Sequence, residues 1–154
     1  MIVQYYSILR KIIYFFLQIC HPSGKTYTNR EIVTLSIRVA QHFEKLQIQQ
    51  GEIIGFCGSN TEYVAPLVIG TFLAGLTLST LDPSFDKDGI KHIYSITKPK
   101  IMFCDGSILP KMKEALKEIN LNCDIYTMSD HVSGSREITE FLQSSSNEEN
   151  YRLI

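Results

Sequence analysis

The clearest candidates for chemistry in this sequence lie in a glycine-containing turn that follows an apolar run at residues 53–57. Gly55 and Gly58 flank the end of this run, but the GxGxxG order that lets a backbone approach a pyrophosphate is absent. Ser59 follows Gly58, yet a nucleophile elbow needs GxSxG and the second glycine is missing. Because Glu62 follows Ser59 by three residues, we expect Ser59 to cap a helix and not to attack a substrate.

Three aspartates form a second candidate group. Asp82, Asp86 and Asp88 are close enough in sequence to resemble a site for a divalent cation. Aspartate is also favoured at helix N-termini, where its carboxylate accepts backbone N–H groups and complements the helix dipole. We therefore interpret Asp86 and Asp88 as residues that start a helix, and we predict no metal site.

The cysteines and histidines do not form a metal-binding pattern. No CxxC pair occurs, and the histidines are not spaced to share a metal ion with the cysteines. Cys57 and Cys104 each end an apolar run, which predicts buried free thiols and a reducing compartment, with a disulfide or metal ligation as the alternatives. The residues concerned are Cys20, Cys57, Cys104, Cys123, His21, His42, His92 and His131.

The composition limits the kind of protein. The chain has 154 residues, of which 44% are hydrophobic and 20% charged, and this fits one soluble globular domain with a sizeable core. Its 15 basic residues balance 16 acidic ones, for a net charge of -1. A chain without excess positive charge attracts neither nucleic acid nor an anionic membrane. We expect neither as a partner.

Residues 1–23 form an atypical apolar lead-in. The stretch at residues 12–20 is almost entirely apolar, but it is far shorter than the roughly 20 residues that a membrane span needs. It also lacks the small residues of a signal cleavage site. We therefore predict an amphipathic helix at residues 8–16, then short strands at residues 17–20 and 26–28, with no secretion and no stable membrane insertion.

From residue 28 onward, helical and strand patterns alternate. Thr28 and Glu31 form a capping box, which begins a helix whose apolar stripe continues to Leu46. The strand at residues 53–57 precedes a helix at residues 61–74, which is apolar on nearly every side and is expected between other layers. The other predicted elements are strands at 76–80, 101–104 and 124–128, helices at 86–96 and 107–119, and a short helix at 138–142. The lysines and glutamates of the helix at 107–119 are interpreted as a solvated face.

This order of elements indicates the α/β class: a doubly wound, mostly parallel sheet with helices on both faces. Such sheets bind ligands outside the carboxyl ends of their strands. A site is therefore expected in the loops at residues 58–60, 81–84 and 105–107. None of these loops contains an obvious catalytic set, and we assign no catalytic, cofactor-binding or metal-binding residue.

A series of short motifs also runs through residues 24–142. The motifs are, in order, GKTYT at residues 24–28, GEII at 51–54, SNTEY at 59–63, Ala74-Gly75, Asp82-Pro83 and SITKPKIMFC at 95–104. Together they resemble the N-terminal part of the adenylate-forming superfamily of AMP-dependent synthetases and ligases. The branch of acyl-CoA synthetases, 4-coumarate-CoA ligases and insect luciferases is the most similar.

The resemblance implies a partial N-terminal domain at residues 24–143, followed by a polar tail at residues 144–154. For a full-length member it implies a two-step ligase acting on a fatty acyl or aryl carboxylic acid. The carboxylate attacks the α-phosphate of MgATP to give an acyl-adenylate and pyrophosphate, and coenzyme A then displaces AMP to give a thioester. The family's phosphate-binding loop ending in Pro-Lys-Gly, its ribose-binding Asp and its C-terminal catalytic Lys have no counterpart here. We therefore expect either a truncated gene product or a partial gene model. The chain is expected to be inactive alone, to have no cofactor of its own and to be able to pair with the missing downstream segments.

Two other classes of protein stay open for this chain. A non-catalytic α/β interaction or regulatory module would need an exposed binding surface, and a small nucleotide-binding protein would need a phosphate loop, for which residues 58–61 are a poor match.

Residues 151–154 differ from the Ser-Lys-Leu peroxisomal signal of full-length relatives. The cytoplasm is predicted for this chain, while peroxisomes stay open for its relatives.

Overall fold

The computed structural model describes residues 17–19, as backbone, and residues 24–144. The antiparallel strands β1 (Leu17–Ile19) and β2 (Thr26–Thr28) come first. They are followed by α1 (Asn29–Lys45), β3 (Ile53–Cys57), α2 (Val64–Leu73), β4 (Thr77–Leu81), α3 (Lys87–Thr97), β5 (Ile101–Cys104), α4 (Leu109–Glu118), β6 (Asp124–Thr127), β7 (Arg136–Glu137) and a 3₁₀ helix, η1 (Ile138–Leu142). The helix predicted at residues 8–16 and the tail beyond residue 144 lie outside the described residues.

The main sheet has five strands in the order β4-β3-β5-β6-β7, and every neighbouring pair is parallel. The predicted α/β class, with a doubly wound parallel sheet, is therefore confirmed. The first strand of the sheet, β3, lies between β4 and β5. The order of strands reverses there, so the gap between the carboxyl ends of β3 and β5 is the topological switch point of the sheet.

A hydrophobic core covers each face of the sheet. Side chains alternate along β5, so that Ile101 and Phe103 join one core while Met102 and Cys104 join the other. The first core includes side chains of α1, α2 and η1, and its aromatic rings lie 4.8 to 6.3 Å apart; they are Phe43, Phe103, Tyr126 and Phe141. The second core lies under α3 and α4 and contains Ile90, Tyr94 and Met112.

Helix α1 begins with the predicted capping box. The Thr28 hydroxyl accepts the Glu31 backbone N–H at 3.2 Å, and the Glu31 carboxylate accepts the Thr28 backbone N–H at 2.7 Å. The helix packs closely on α2 at Gly70. A Cβ atom at Gly70 would lie 2.6 Å from Val39 Cβ and 2.7 Å from the Ser36 carbonyl oxygen, so only glycine lets the two helices approach this closely.

The predicted starts of α2 and α4 were too early. We expected these helices from residues 61 and 107, but they begin at Val64 and Leu109. Each contains a proline in its first turn, Pro66 or Pro110. The backbone N–H groups of a first turn have no partner within the helix, so proline, which lacks an N–H, is tolerated there. An earlier start would have moved each proline toward the helix interior, where its ring clashes with the preceding turn.

Other boundaries differ by about one residue. Strand β4 is Thr77–Leu81, one residue later than predicted, and β6 ends at Thr127. Helix α3 ends before Pro99 as expected, through Lys98 in the left-handed conformation at φ 47°. The two-residue strand β7 was missed because it is too short to show a period.

Candidate functional site

The candidate site is the carboxyl edge of the sheet, at the switch point between β3 and β5. Asp105 directly follows β5, and its side chain is only 3% exposed. Its Oδ2 atom accepts the backbone N–H of Ser59, in the loop after β3, at 2.7 Å. Its Oδ1 atom accepts the hydroxyl of Ser129, in the loop after β6, at 2.9 Å. One buried carboxylate therefore joins the loops after three adjacent strands.

Two glycines make room for this arrangement. A Cβ atom at Gly58 would lie 2.8 Å from Asp105 Oδ1, and one at Gly106 would collide with the Asp130 carbonyl group. Gly106 also donates its backbone N–H to the Ser129 carbonyl oxygen at 2.9 Å. The loops are thus packed against one another around the Asp105 carboxylate.

The predicted cap at Ser59 is wrong. Tyr63 occupies the N-cap position of α2 and makes no side-chain cap hydrogen bond. The Thr61 hydroxyl accepts the Tyr63 N–H at 3.3 Å, within a turn that precedes the helix. Ser59 instead contributes its backbone N–H to the Asp105 carboxylate, a contact between residues far apart in the sequence.

Each of the three aspartates considered as a metal site contacts a residue two or three positions away in the sequence. Asp86 is the N-cap of α3 and accepts the Gly89 N–H at 2.8 Å, as predicted. Asp88 pairs with Lys91 at 2.7 Å. Hydrogen bonds from the side chain and backbone of Ser84 lower the pKa of Asp82. Within residues 24–144, no three His, Cys, Asp or Glu side chains are grouped to hold a metal ion.

Lys111 on α4 also reaches this edge. Its Nζ atom donates to the carbonyl oxygens of Phe85 at 2.6 Å and Pro83 at 3.4 Å, in the loop after β4. Two glutamates of α4 pair with α3, because Lys87 lies 2.7 Å from both Glu114 and Glu118. The charges interpreted as a solvated face therefore also hold α4 to its neighbours.

A hydroxyl, an imidazole and a carboxylate come together between β6 and β7. Thr127 Oγ1 lies 2.6 Å from His131 Nδ1, and His131 Nε2 lies 3.8 Å from Glu137 Oε2. This order resembles a nucleophile with its base, but the Thr127 side chain is fully buried and also donates to the Arg136 carbonyl oxygen at 3.1 Å. The cluster therefore joins β6 to β7. Nothing in the sequence spacing predicted it.

The cysteines of the described region are free thiols, as predicted. Cys57 and Cys104 are buried, and Cys123 is partly buried. Burial raises the pKa of Cys57 and Cys123 to about 11 and that of Cys104 to about 12. These thiols are protonated at neutral pH and are poor nucleophiles. Cys20 lies outside the described residues.

The carboxyl edge does not fit a triphosphate. Phosphate binding at such an edge needs several converging backbone donors. Here the Ser59 N–H is bonded to the buried Asp105 carboxylate and is not available to a phosphate. We therefore derive no catalytic step through MgATP from these residues.

The fold matches the N-terminal part of the adenylate-forming enzymes. The chain belongs to the AMP-binding enzyme family, whose model matches residues 10–150. It is 26% identical over 120 residues to luciferin 4-monooxygenase from Photuris pensylvanica, covering 75% of this chain and 22% of that protein. It is 24% identical over 95 residues to probable 4-coumarate--CoA ligase 1 from Dictyostelium discoideum, covering 62% of this chain and 17% of that protein.

Solved structures show the same fold. The luciferase-like enzyme from the nonluminescent Zophobas morio mealworm superposes with a TM-score of 0.89 at 23% identity, over 97% of this chain and 35% of that one. The red-emitting luciferase from Phrixothrix hirtus gives a TM-score of 0.83 at 17% identity, over 97% of this chain and 30% of that one. The chain thus spans about a fifth to a third of these relatives. Among the residues that the structure describes, no helix is both long and apolar enough to cross a membrane.

Proposed function

We propose that this chain is the N-terminal scaffold of an ATP-dependent carboxylic acid CoA ligase. Its family membership and its similarity to a probable 4-coumarate--CoA ligase support this assignment. The whole enzyme would join a fatty acyl or aryl acid to AMP, release pyrophosphate, and then transfer the acyl group to coenzyme A. ATP, Mg²⁺ and coenzyme A are the cofactors of that complete reaction. Its role would lie in fatty acid or aryl acid metabolism. We place this chain in the cytoplasm, while peroxisomes stay open as the location of full-length relatives.

Within this proposal, the chain is inactive by itself. The observation that carries this view is the bond between Asp105 and Ser59, which fills the switch point with a carboxylate of the protein. Nucleotidyl transfer depends mainly on positioning the phosphates and stabilising their charge. A domain that uses its own carboxylate to join the loops of this edge would support the rest of an enzyme and would not itself catalyse the reaction.

The test is ATP-pyrophosphate exchange with the purified chain, using fatty and aromatic acids as substrates. We expect no exchange above a no-protein blank and no saturable binding of MgATP at millimolar concentration. A full-length acyl-CoA ligase assayed in parallel serves as the positive control. Exchange by the chain that disappears when Ser59 and Asn60 are both replaced by Ala would contradict the proposal, because it would make this loop a site.

A non-catalytic interaction module is the second candidate, and two exposed apolar side chains favour it. Phe72 on α2 is 62% exposed and Ile96 on α3 is 67% exposed. Because exposed apolar surface can mark a site of protein contact, each side chain is proposed as the anchor of a separate contact. Co-purification of the tagged chain with a full-length relative, lost on Phe72→Ser or Ile96→Ser substitution, would favour the module over the scaffold.

A further inference from the structure

The two edges of the main sheet are protected unequally. Strand β7, at one edge, has only two residues, Arg136 and Glu137, and both are charged. Strand β4, at the other edge, has five residues, none of which is charged or a proline. Short length and charge are among the features that keep an edge strand from pairing with another chain. Strand β4 therefore lacks the protection that β7 has.

The backbone of β4 presents hydrogen-bonding groups at its outer edge. The Thr77 backbone N–H donates to the Glu52 carbonyl oxygen at 2.9 Å, so the backbone groups of Thr77 point toward β3. Because these groups alternate in direction along a strand, the N–H and C=O groups of Leu78 and Thr80 point away from β3. Within the described residues, no strand of this sheet lies on that side of β4. These groups are therefore placed to pair with a strand of another chain.

Helix α3 borders this edge on one face of the sheet. Lys87 and Lys91 mark the side of α3 that faces α4, because both pair with Glu118. Ile96 lies roughly 140–180° around the helix from these lysines, on the side away from α4. Since α4 lies between β5 and β6 in the chain and α3 directly follows β4, this side of α3 borders β4. Ile96 is 67% exposed there.

Phe85 adds a second exposed apolar side chain to this flank of α3. A Cβ atom at Gly89 would lie 2.6 Å from the Phe85 ring, so the ring rests against Gly89. Gly89 and Ile96 are seven residues apart and therefore share one side of the helix. Phe85 follows the carboxyl end of β4, whereas Ile96 lies near the end of α3, toward the amino ends of the strands. The two side chains thus lie at opposite ends of one flank.

Helix α2 borders the same edge on the other face. Gly70 packs against Val39 of α1, and Phe72 lies roughly 200° further around α2, on the side away from α1. Helix α1 lies over β5, where the Phe43 ring is 6.3 Å from the Phe103 ring. The outer side of α2 therefore borders β4. Phe72 is 62% exposed there, and α2 contains no charged residue.

We propose that β4 pairs with β4 of a second copy of this chain, in antiparallel orientation about a twofold axis, so that the two sheets become one. Such an axis brings the carboxyl end of one β4 beside the amino end of the other. Ile96 of each copy then lies opposite Phe85 of the other copy, which makes the surface self-complementary. Because neither β4 nor α2 carries a charge, self-pairing brings no like charges together along them. The inference does not rest on the proposed ligase function.

Sedimentation velocity of the purified chain over a range of micromolar concentrations tests the pairing. We expect a reversible monomer–dimer equilibrium, with a dimer of twice the 17.6 kDa monomer mass. Hydrogen exchange at the Leu78 and Thr80 amides should slow as the dimer forms, while the Thr77 amide, already bonded to Glu52, should change little. A chain that stays monomeric would overturn the proposal. Open-ended association would also overturn it, because a twofold contact closes on itself.

Two variants probe the interface. Thr80→Pro removes a donor from the outer edge and leaves the hydrogen bonds to β3 in place, so it should abolish the dimer. Ile96→Ser should weaken dimerisation about tenfold or more, because apolar burial is lost in both copies. Since Ile96 is exposed in the monomer, the circular dichroism of this variant should match the wild type. If Thr80→Pro does not fold, Ile96→Ser decides the question.

Val132→Ser is the matched control. Val132 is also an exposed apolar residue, at 45%, but it lies between β6 and β7, far from β4 in the strand order. This variant should dimerise as the wild type does. Equal weakening in Val132→Ser and Ile96→Ser, or no weakening in Ile96→Ser, would overturn the proposal. Slower exchange at Leu78 and Thr80 only when a full-length relative is added would show that a different partner occupies the edge, and would also overturn it.

Discussion

The Asp105 carboxylate accepts the Ser59 backbone N–H at 2.7 Å, and this bond crosses the gap where the order of the strands reverses. In other open α/β sheets this gap receives an external ligand. Here an acidic side chain of the protein occupies it and also binds the Ser129 hydroxyl. The loops after β3, β5 and β6 are therefore joined by one carboxylate of the protein.

Replacing Asp105 with Ala should destabilise the chain by about 1–3 kcal/mol, because two hydrogen bonds to this buried carboxylate are lost. Asp105→Asn should cost less, since the amide oxygen can accept from Ser59 while the amide N–H donates to the Ser129 hydroxyl oxygen. Urea denaturation followed by circular dichroism measures both changes. An Asp105→Ala variant as stable as the wild type would show that the bond does not hold these loops.

Replacing Gly70 with Ala should destabilise the chain even though Ala favours helices by about 1 kcal/mol. The new methyl group would collide with Val39 and the Ser36 carbonyl oxygen, and overpacking of this kind costs about 1–3 kcal/mol. Phe72→Ala, in the same helix but largely exposed, is the control and should change stability by less than about 0.5 kcal/mol. A gain in stability for Gly70→Ala would mean that α1 and α2 separate easily.

His42 should make stability dependent on pH. Burial lowers the pKa of His42, whose ring lies 4.0 Å from the Phe141 ring. The unfolded chain therefore binds the proton more readily than the folded chain. Protonation favours unfolding, so this contribution should reduce stability as the pH falls below about 6.5.

The measurement compares denaturation midpoints of the wild type and His42→Phe at pH 7.5 and pH 5.5. The phenyl ring keeps the contact with Phe141 and removes the titrating group. The loss of stability between the two pH values should therefore be smaller in the variant. Identical losses in both proteins would assign the effect to other groups.

Much of the fold was predictable because it depends on local patterns. Strands β3 and β5 are continuous apolar runs, and their predicted bounds are confirmed. The Thr28 capping box and the Asp86 cap were also found, because each joins residues three apart. The start of α2 was predicted too early because Pro66 must lie in the first turn of the helix, which places the start at Val64.

The centre of the candidate site was not predictable from spacing. Asp105 acts through Ser59 and Ser129, and these three residues meet only after β3, β5 and β6 have paired. Asp105 also follows an apolar strand, like many loop aspartates, and no local motif distinguishes it. The Thr127 cluster was missed for the same reason, because it depends on the pairing of β6 with β7.

The strand order has a consequence for folding during translation. Within the main sheet, the ribosome completes β3 first, after which β4 adds to one of its edges and β5 to the other. Strand β6 then adds to β5, and β7 to β6. Every later strand thus meets a partner that has already been synthesised, so this parallel sheet can grow in step with the emerging chain.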